Sequence, residues 1–408
     1  MVAACLWVQA QPSRAGDAQV AASPTPAPPG SAAAPAVLTG NWGGLRDKLA
    51  DEGMTFGLIW LGEGFRNFDG GIRAGDSFSS TTDLNFMLDT EKAFSLAGGK
   101  FYVDFEDHAG GNPTTALTGD LQVFDKTNTS PYSEIFELYY AQNLFHDTLR
   151  IKVGKMDANT EFGVINNGLD FLNSSAQVSP TILGMPTTPD PLPGALVSFT
   201  PADWFYAMAG GYLANRTDRF LNFTGDPSGI QPTENGTLFI GETGVKWSRS
   251  PWPGGDGDLK IGFWGHTGTF TRLDGGSQRG AEGFYAGFDQ TLWKPTAKDD
   301  EQRGIRMFLD YGETDPRVST IWQNGGGGIV WRGFLPGRDT DEIGFGPQCA
   351  WLSRDANLKY PYELMFEWFY QVNPTSWSTL KPDLQYIVHP GGQYANALVG
   401  TLQLALQF

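Results

Sequence analysis

Two acidic side chains, Asp104 and Glu106, lie two positions apart in a segment where apolar and polar residues alternate. In an extended strand this spacing places both carboxylates on one face, about 6.5–7 Å apart, because each residue rises about 3.3 Å. Two carboxylates at that distance can hydrolyse a glycosidic bond. Neighbours on one strand, however, do not by themselves form the two sides of a cleft. A hydrolase is therefore one interpretation among several.

The neighbouring segments add charges of both signs and two phenylalanines in a long connection. A sugar presents hydroxyl groups in all directions and weakly apolar ring faces, so a site that selects sugars needs donors, acceptors and an aromatic surface. A ring of one sign would select ions instead. The residues that we predict to contact a substrate at a constriction are Arg66, Arg73, Asp83, Lys100, Asp104, Glu106, Glu137, Lys155, Asp157, Phe162 and Phe171.

Each candidate also has an interpretation in which it only supports the structure. A single charge can be a solvated wall residue, and Arg73, which has glycines nearby, can be an exposed loop arginine. Lys155 and Asp157 can form an ion pair at a strand end. Phe162 and Phe171 can attach a loop to the wall instead of offering a ring face. The sequence leaves both interpretations open.

Other site chemistry has little support. The four histidines are far apart and lack ligand spacing, so we predict no metal site. The sequence contains no GxSxG, P-loop or HExxH motif, and we predict no cofactor. Two cysteines, Cys5 and Cys349, are too few for a disulfide framework.

The composition of the chain limits the folds that can hold these candidate site residues. The 408 residues carry a net charge of −17, which argues against a nucleic-acid partner. No apolar run reaches the roughly 18–20 residues of a membrane-spanning helix. If the chain crosses a membrane, it must therefore do so as a closed β-barrel, because lipid leaves unpaired backbone groups unsatisfied.

Three regions follow one another along the chain. Residues 1–38 are rich in alanine and proline and are predicted to be a partial secretion signal with a flexible segment. Residues 39–54 contain a short helix, with Asn41 as a plausible cap and Gly53 at its end, expected at the periplasmic mouth of a barrel. Residues 55–408 are predicted to form the barrel.

Alternation with a period of two runs through this third region. The final stretch shows it well, because Leu402, Leu404 and Leu406 share one face while Thr401 and Gln403 share the other. We predict an all-β, transmembrane antiparallel barrel of about sixteen strands, at 55–66, 80–90, 99–108, 133–144, 148–156, 194–200, 204–213, 237–248, 258–268, 282–294, 304–313, 327–335, 341–353, 361–372, 378–388 and 395–408.

Short and long connections alternate between these segments. The links at 146–148, 201–203 and 374–377 are short, whereas those at 109–132, 157–193 and 214–236 are long. This asymmetry is typical of outer-membrane barrels, which have short periplasmic turns and long outer loops. A barrel of about sixteen strands is wide enough to contain an aqueous channel.

Four stretches resemble the carbohydrate-selective porin family of Gram-negative outer membranes. They are NWGGLRDKLADEGMTFG at 41–57, VGKMDANTEFG at 153–163, LKPDLQYIVHPGG at 380–392 and the terminal Phe408. The closing motif is the most specific of them, and the resemblance runs from about residue 39 to the end. It implies a sixteen-stranded barrel through which sugars diffuse, with long loops folded inward to narrow the pore.

Three classes of function compete. The favoured one is a bacterial outer-membrane porin, not an enzyme, for passive diffusion of monosaccharides, small oligosaccharides or polyols. The second is a less selective general, anion or peptide porin, and the third is a secreted β-rich carbohydrate-binding protein or hydrolase. For the favoured class we expect small carbohydrates and outer-membrane lipid or lipopolysaccharide as partners, no nucleic acid, and a monomer or homotrimer.

Overall fold

The structure, a computed structural model, describes residues 37–214, 222–224, 236–248, 255–296 and 302–408. Nearly all of the predicted signal and flexible segment, residues 1–36, lies outside the described residues, as does most of the predicted long connection at 214–236.

Within the described residues, sixteen long strands form a closed antiparallel barrel. Each pairs with its neighbours in the sequence, and the last strand closes the ring on the first, with Ile59 opposite Gln407. A short extra strand, Asn222–Thr224, pairs with the beginning of the fourth strand. The strands are β1 (Met54–Gly71), β2 (Gly75–Asp89), β3 (Gly99–Gly110), β4 (Tyr132–Leu144), β5 (Leu149–Met156), β6 (Leu192–Ala202), β7 (Phe205–Ala214), β8 (Asn222–Thr224), β9 (Gly236–Trp247), β10 (Gly257–Thr271), β11 (Ser277–Trp293), β12 (Gly304–Thr314), β13 (Ile321–Arg332), β14 (Glu342–Leu352), β15 (Tyr362–Thr375), β16 (Ser378–Val388) and β17 (Ala395–Gln407).

The two faces of the barrel wall differ as the alternation predicts. On β17, Leu402 points outward and is 51% exposed, whereas Thr401 and Gln403 face the lumen and are buried. Large apolar side chains are exposed outward on other strands as well, for example Phe239 and Phe263. This apolar exterior is what a hydrocarbon environment requires of a strand. The prediction of a transmembrane barrel with about sixteen strands is confirmed.

Strand β13 starts earlier than predicted. β13 begins at Ile321 instead of residue 327, so the four glycines at 325–328 lie inside a strand. They permit a close approach: a Cβ added at Gly328 would lie 2.7 Å from the ring of Phe171. Because glycine has no side chain, these positions show no alternation, and the start of the strand cannot be recognised from the pattern.

The predicted N-terminal helix is present but shorter. A 3₁₀ turn, Trp42–Gly44, precedes an α-helix at Leu45–Asp51. Asn41 does not cap this helix directly; its side-chain oxygen accepts a hydrogen bond from the Asp47 backbone N–H at 3.2 Å. Arg46 donates to the Phe408 carbonyl oxygen at 3.1 Å. The helix is thereby attached to the end of the barrel where β1 starts and β17 finishes.

Two long loops fold into the lumen. They are the β3–β4 loop (residues 111–131) and the β5–β6 loop (residues 157–191), and most of their side chains are buried. Connections at the opposite end of the barrel are much shorter, such as residues 203–204 between β6 and β7. The inward-folded loops implied by the family resemblance are therefore present.

Among the described helices, none has the length and apolar character needed to cross a membrane.

Candidate functional site

Four of the predicted acidic residues lie together on the lumen face of β2, β3 and β4. Asp83 is opposite Glu106 in the β2–β3 pairing, and Asp104 is opposite Glu137 in the β3–β4 pairing. All four are buried from bulk solvent. The Tyr132 hydroxyl donates to Glu106 Oε1 at 2.6 Å. Among the described residues, no group hydrogen-bonds to Asp104 Oδ1 or to Glu106 Oε2.

Three cations on the adjacent strand β5 pair with glutamates in or beside this cluster. Lys155 Nζ lies 2.7 Å from Glu134 Oε2, and Lys152 Nζ lies 3.8 Å from Glu137 Oε1. Arg150 pairs with Glu161, a residue of the β5–β6 loop. An opposite charge within contact distance offsets the cost of burying each of these cations. We call this surface the mixed-charge wall; it consists of Asp83, Asp104, Glu106, Glu134, Glu137, Arg150, Lys152 and Lys155.

Asp157 belongs to the base of the β5–β6 loop. Its backbone N–H donates to Glu137 Oε1 at 3.0 Å, and its side chain accepts from the Asn159 N–H at 2.7 Å. Burial raises the pKa of Asp157 to about 6. This carboxyl therefore shapes the turn that leads from the mixed-charge wall into the loop.

The two phenylalanines of the same loop are packed into the structure. Phe162 has no exposed surface and contacts Tyr212 edge-on, with 6.4 Å between ring centroids. Phe171 is 1% exposed and lies edge-on to Phe308 at 5.3 Å and to Phe369 at 5.1 Å. Because neither ring has an exposed face, these contacts favour the interpretation that both phenylalanines attach the loop to the barrel wall.

Three predicted residues lie away from this cluster. Arg66 is on the outward face of β1, half exposed, where it pairs with Asp76 at 2.6 Å, so its side chain points away from the lumen. Arg73 is exposed in the β1–β2 turn, and its backbone N–H donates to the Leu117 carbonyl oxygen. Lys100 faces the lumen, but at the short-turn end of β3.

Comparison with known proteins identifies the family. A sequence model of the carbohydrate-selective porin, OprB family, matches residues 75–408, most of the chain. This chain belongs to that family. Porin B of Pseudomonas aeruginosa is 25% identical to this porin over 433 aligned positions, which cover 91% of each chain. This carbohydrate porin is accordingly a protein of the Gram-negative outer membrane.

Solved structures agree with the barrel of this porin. The high-pH structure of Pseudomonas putida OprB superposes with a TM-score of 0.79 at 20% identity, covering 93% of this chain and 100% of that one. The low-pH structure of the same protein gives a TM-score of 0.62 at 19% identity, covering 92% and 100%. At 19–20% sequence identity, these superpositions show that the two proteins share a fold.

One group of functional residues is missing from the prediction. Several carboxylates and lysines of the lumen wall bind the backbone of the inward-folded loops. On the sequence they appear only as polar positions of alternating strands, and most of the partners that distinguish them come from loops about a hundred residues away or more. They are Glu242, Lys260, Asp289, Glu363, Glu367 and Lys381.

Proposed function

We propose that this porin passes small neutral carbohydrates, namely monosaccharides, small oligosaccharides or polyols, by passive diffusion and without catalysis. The route runs through the part of the lumen bounded by the mixed-charge wall and the two inward-folded loops. The observation that supports this proposal is the pairing of signs on one wall: acids on β2, β3 and β4 beside cations on β5.

A wall of this kind suits an uncharged, hydroxyl-rich solute. The ion pairs offer donors and acceptors at short intervals, and the three cations offset part of the negative charge of the five acids. A constriction that selects ions would carry one sign. Asp104 and Glu106 each have one buried carboxylate oxygen without a hydrogen-bond partner among the described residues, and a sugar hydroxyl group can donate to it only where the solute gains access to it. Such contacts are weak enough individually to allow release.

The same proposal places the protein in the outer membrane and orients it there. The apolar outer face contacts outer-membrane lipid and lipopolysaccharide, and the helix Leu45–Asp51 lies at the periplasmic mouth. The protein acts as a monomer or as a homotrimer of complete barrels.

Permeation measurements on purified porin test the assignment. Proteoliposomes should swell in monosaccharide solution, and planar-bilayer recordings should show a small reversal potential in a salt gradient. Asp104→Asn should weaken sugar block of the current by about tenfold, the size of one charge-assisted hydrogen bond. Asp203→Asn, at an exposed turn residue, is the matched control and should change nothing.

The alternatives give different results. A strongly ion-selective current without swelling would identify a general or ion porin and reject the carbohydrate assignment for this lumen. Normal swelling with an unchanged Asp104→Asn variant would keep the channel but remove Asp104 from the set of substrate contacts.

A further inference from the structure

We propose that Glu363 and Glu367 are positioning residues that each hold one of the two inward-folded loops, and so set the size limit for sugars. Both lie on the lumen face of β15, and both are essentially without solvent exposure. The inference rests on the proposed function, because it describes how the same passage is shaped. Neither residue needs to contact the sugar.

Glu363 binds the β3–β4 loop through backbone groups. Its Oε1 accepts hydrogen bonds from the Leu121 N–H at 3.1 Å and from the Gln122 N–H at 2.9 Å. Its Oε2 accepts from the Gly391 N–H at 2.6 Å, in the connection between β16 and β17. One carboxylate therefore joins two separate loops to the wall.

Glu367 binds the β5–β6 loop in the same way. Its Oε1 accepts from the Leu172 N–H at 2.6 Å and its Oε2 from the Asn173 N–H at 3.0 Å. The two glutamates are four residues apart on one strand, about 13 Å along it. Neighbouring positions on one wall thus hold different loops.

The β5–β6 loop is also attached on other parts of the wall. Asp289 of β11 accepts from the Asn166 N–H at 3.0 Å and from the Asn167 N–H at 2.7 Å, and Glu242 of β9 accepts from the Gly163 N–H at 2.8 Å. Lysines bind the carbonyl groups of the same stretch: Lys381 Nζ donates to the Asp170 carbonyl at 2.6 Å. The loop backbone from 163 to 173 is therefore tied to several strands.

The chemical form of these residues explains why they can perform this task. An irregular loop inside a barrel has buried N–H groups without a strand partner, and each needs an acceptor. A carboxylate has two oxygens that only accept, so it can bind two or three N–H groups at once. A glutamine has nearly the same shape but presents an NH₂ group in place of one oxygen. That NH₂ group would face an N–H group, so the change removes the attachment with little loss of volume.

Amide hydrogen exchange of the full-length porin in proteoliposomes tests this directly, using Glu363→Gln, Glu367→Gln and the control Glu282→Gln. Glu282 is exposed on the outward face of β11. We expect Glu367→Gln to raise exchange at residues 168–176 about tenfold, as the loss of one charge-assisted hydrogen bond implies. Exchange at 119–124 should rise much less, although the two loops are also joined by hydrogen bonds from the Ser174 N–H to the Val123 carbonyl and from the Lys126 N–H to the Leu172 carbonyl. Glu363→Gln should give the reverse pattern, and the control neither.

Permeation gives the functional readout. In both loop variants the swelling rate for a trisaccharide should rise relative to that for a monosaccharide. Unchanged protection in both loops, equal loss in both loops for either variant, or failure of both variants to form a barrel would overturn the proposal. If the wild-type porin passes no sugar, the proposed function fails, whereas the exchange pattern still decides whether these glutamates position the loops.

Discussion

Replacing Phe171 by alanine should release the β5–β6 loop without opening the barrel. The ring is 1% exposed and contacts both Phe308 and Phe369 edge-on. It also lies over two glycines, since an added Cβ would lie 2.7 Å from it at Gly328 and 2.9 Å at Gly346. A fully enclosed phenylalanine of this kind contributes about 3–5 kcal/mol, of which each aromatic pair supplies roughly 0.5–1.5 kcal/mol.

That loss should appear as local opening. At about 1.4 kcal/mol per tenfold, 3–5 kcal/mol corresponds to roughly two to three and a half orders of magnitude in the opening equilibrium of the loop. The barrel strands are joined to each other by backbone hydrogen bonds around the whole barrel, so their amides should remain protected from exchange. The measurement is hydrogen exchange followed by mass spectrometry, comparing residues 168–176 with strand peptides. Single-channel conductance should rise in the same variant.

Two further variants make the test sharper. Gly328→Ala fills the space under the ring and should release the loop as Phe171→Ala does, although it adds volume. Phe263→Ala removes an equally large ring from the outward face, where it is 62% exposed, and should leave loop protection unchanged. Full protection of 168–176 in Phe171→Ala would refute the reasoning, because the packing of this ring would then not hold the loop.

Two other predictions concern the exterior and pH. Leu402→Arg should impair assembly by about 2–4 kcal/mol if the residue lies near the bilayer midplane, because it places a charge in hydrocarbon; normal heat-modifiable migration on gels would contradict this. The raised pKa of Asp157, about 6, means that the folded loop binds its proton more tightly than the unfolded chain does. Its contribution to loop stability is therefore full below about pH 4 and is lost as pH rises through 6. Exchange in the β5–β6 loop, corrected for intrinsic rates, should increase from pH 4 to 7 in the wild type and stay flat in Asp157→Asn; a decrease with pH would contradict the assignment.

The strands could be predicted because lipid imposes a simple rule on them. Outward positions must be apolar, so the alternation in segments such as β3 and β17 gives both the strand and its facing. The same rule would have placed Arg66 outward, since it shares parity with Leu58 and Trp60. Nearness to a loop is a weaker guide to the direction of this side chain than the alternation of its strand.

The loop attachments could not be predicted for a different reason. Glu363 and Glu367 look like any polar residues on an alternating strand, and their partners are backbone N–H groups, which every residue except proline possesses. No residue type in the loops therefore signals the contact. Phe162 and Phe171 likewise have partners on distant strands, so only the folded chain shows which side of each ring is covered.

The closure of β17 on β1 limits how copies of this porin can associate. Every long strand in the described ranges has a hydrogen-bonded neighbour on both sides, so these strands offer no free edge for a second molecule to extend. Any assembly between barrels must then use outward-facing side chains, turns or loops instead of strand pairing, so substitutions there can weaken it while each pore remains whole.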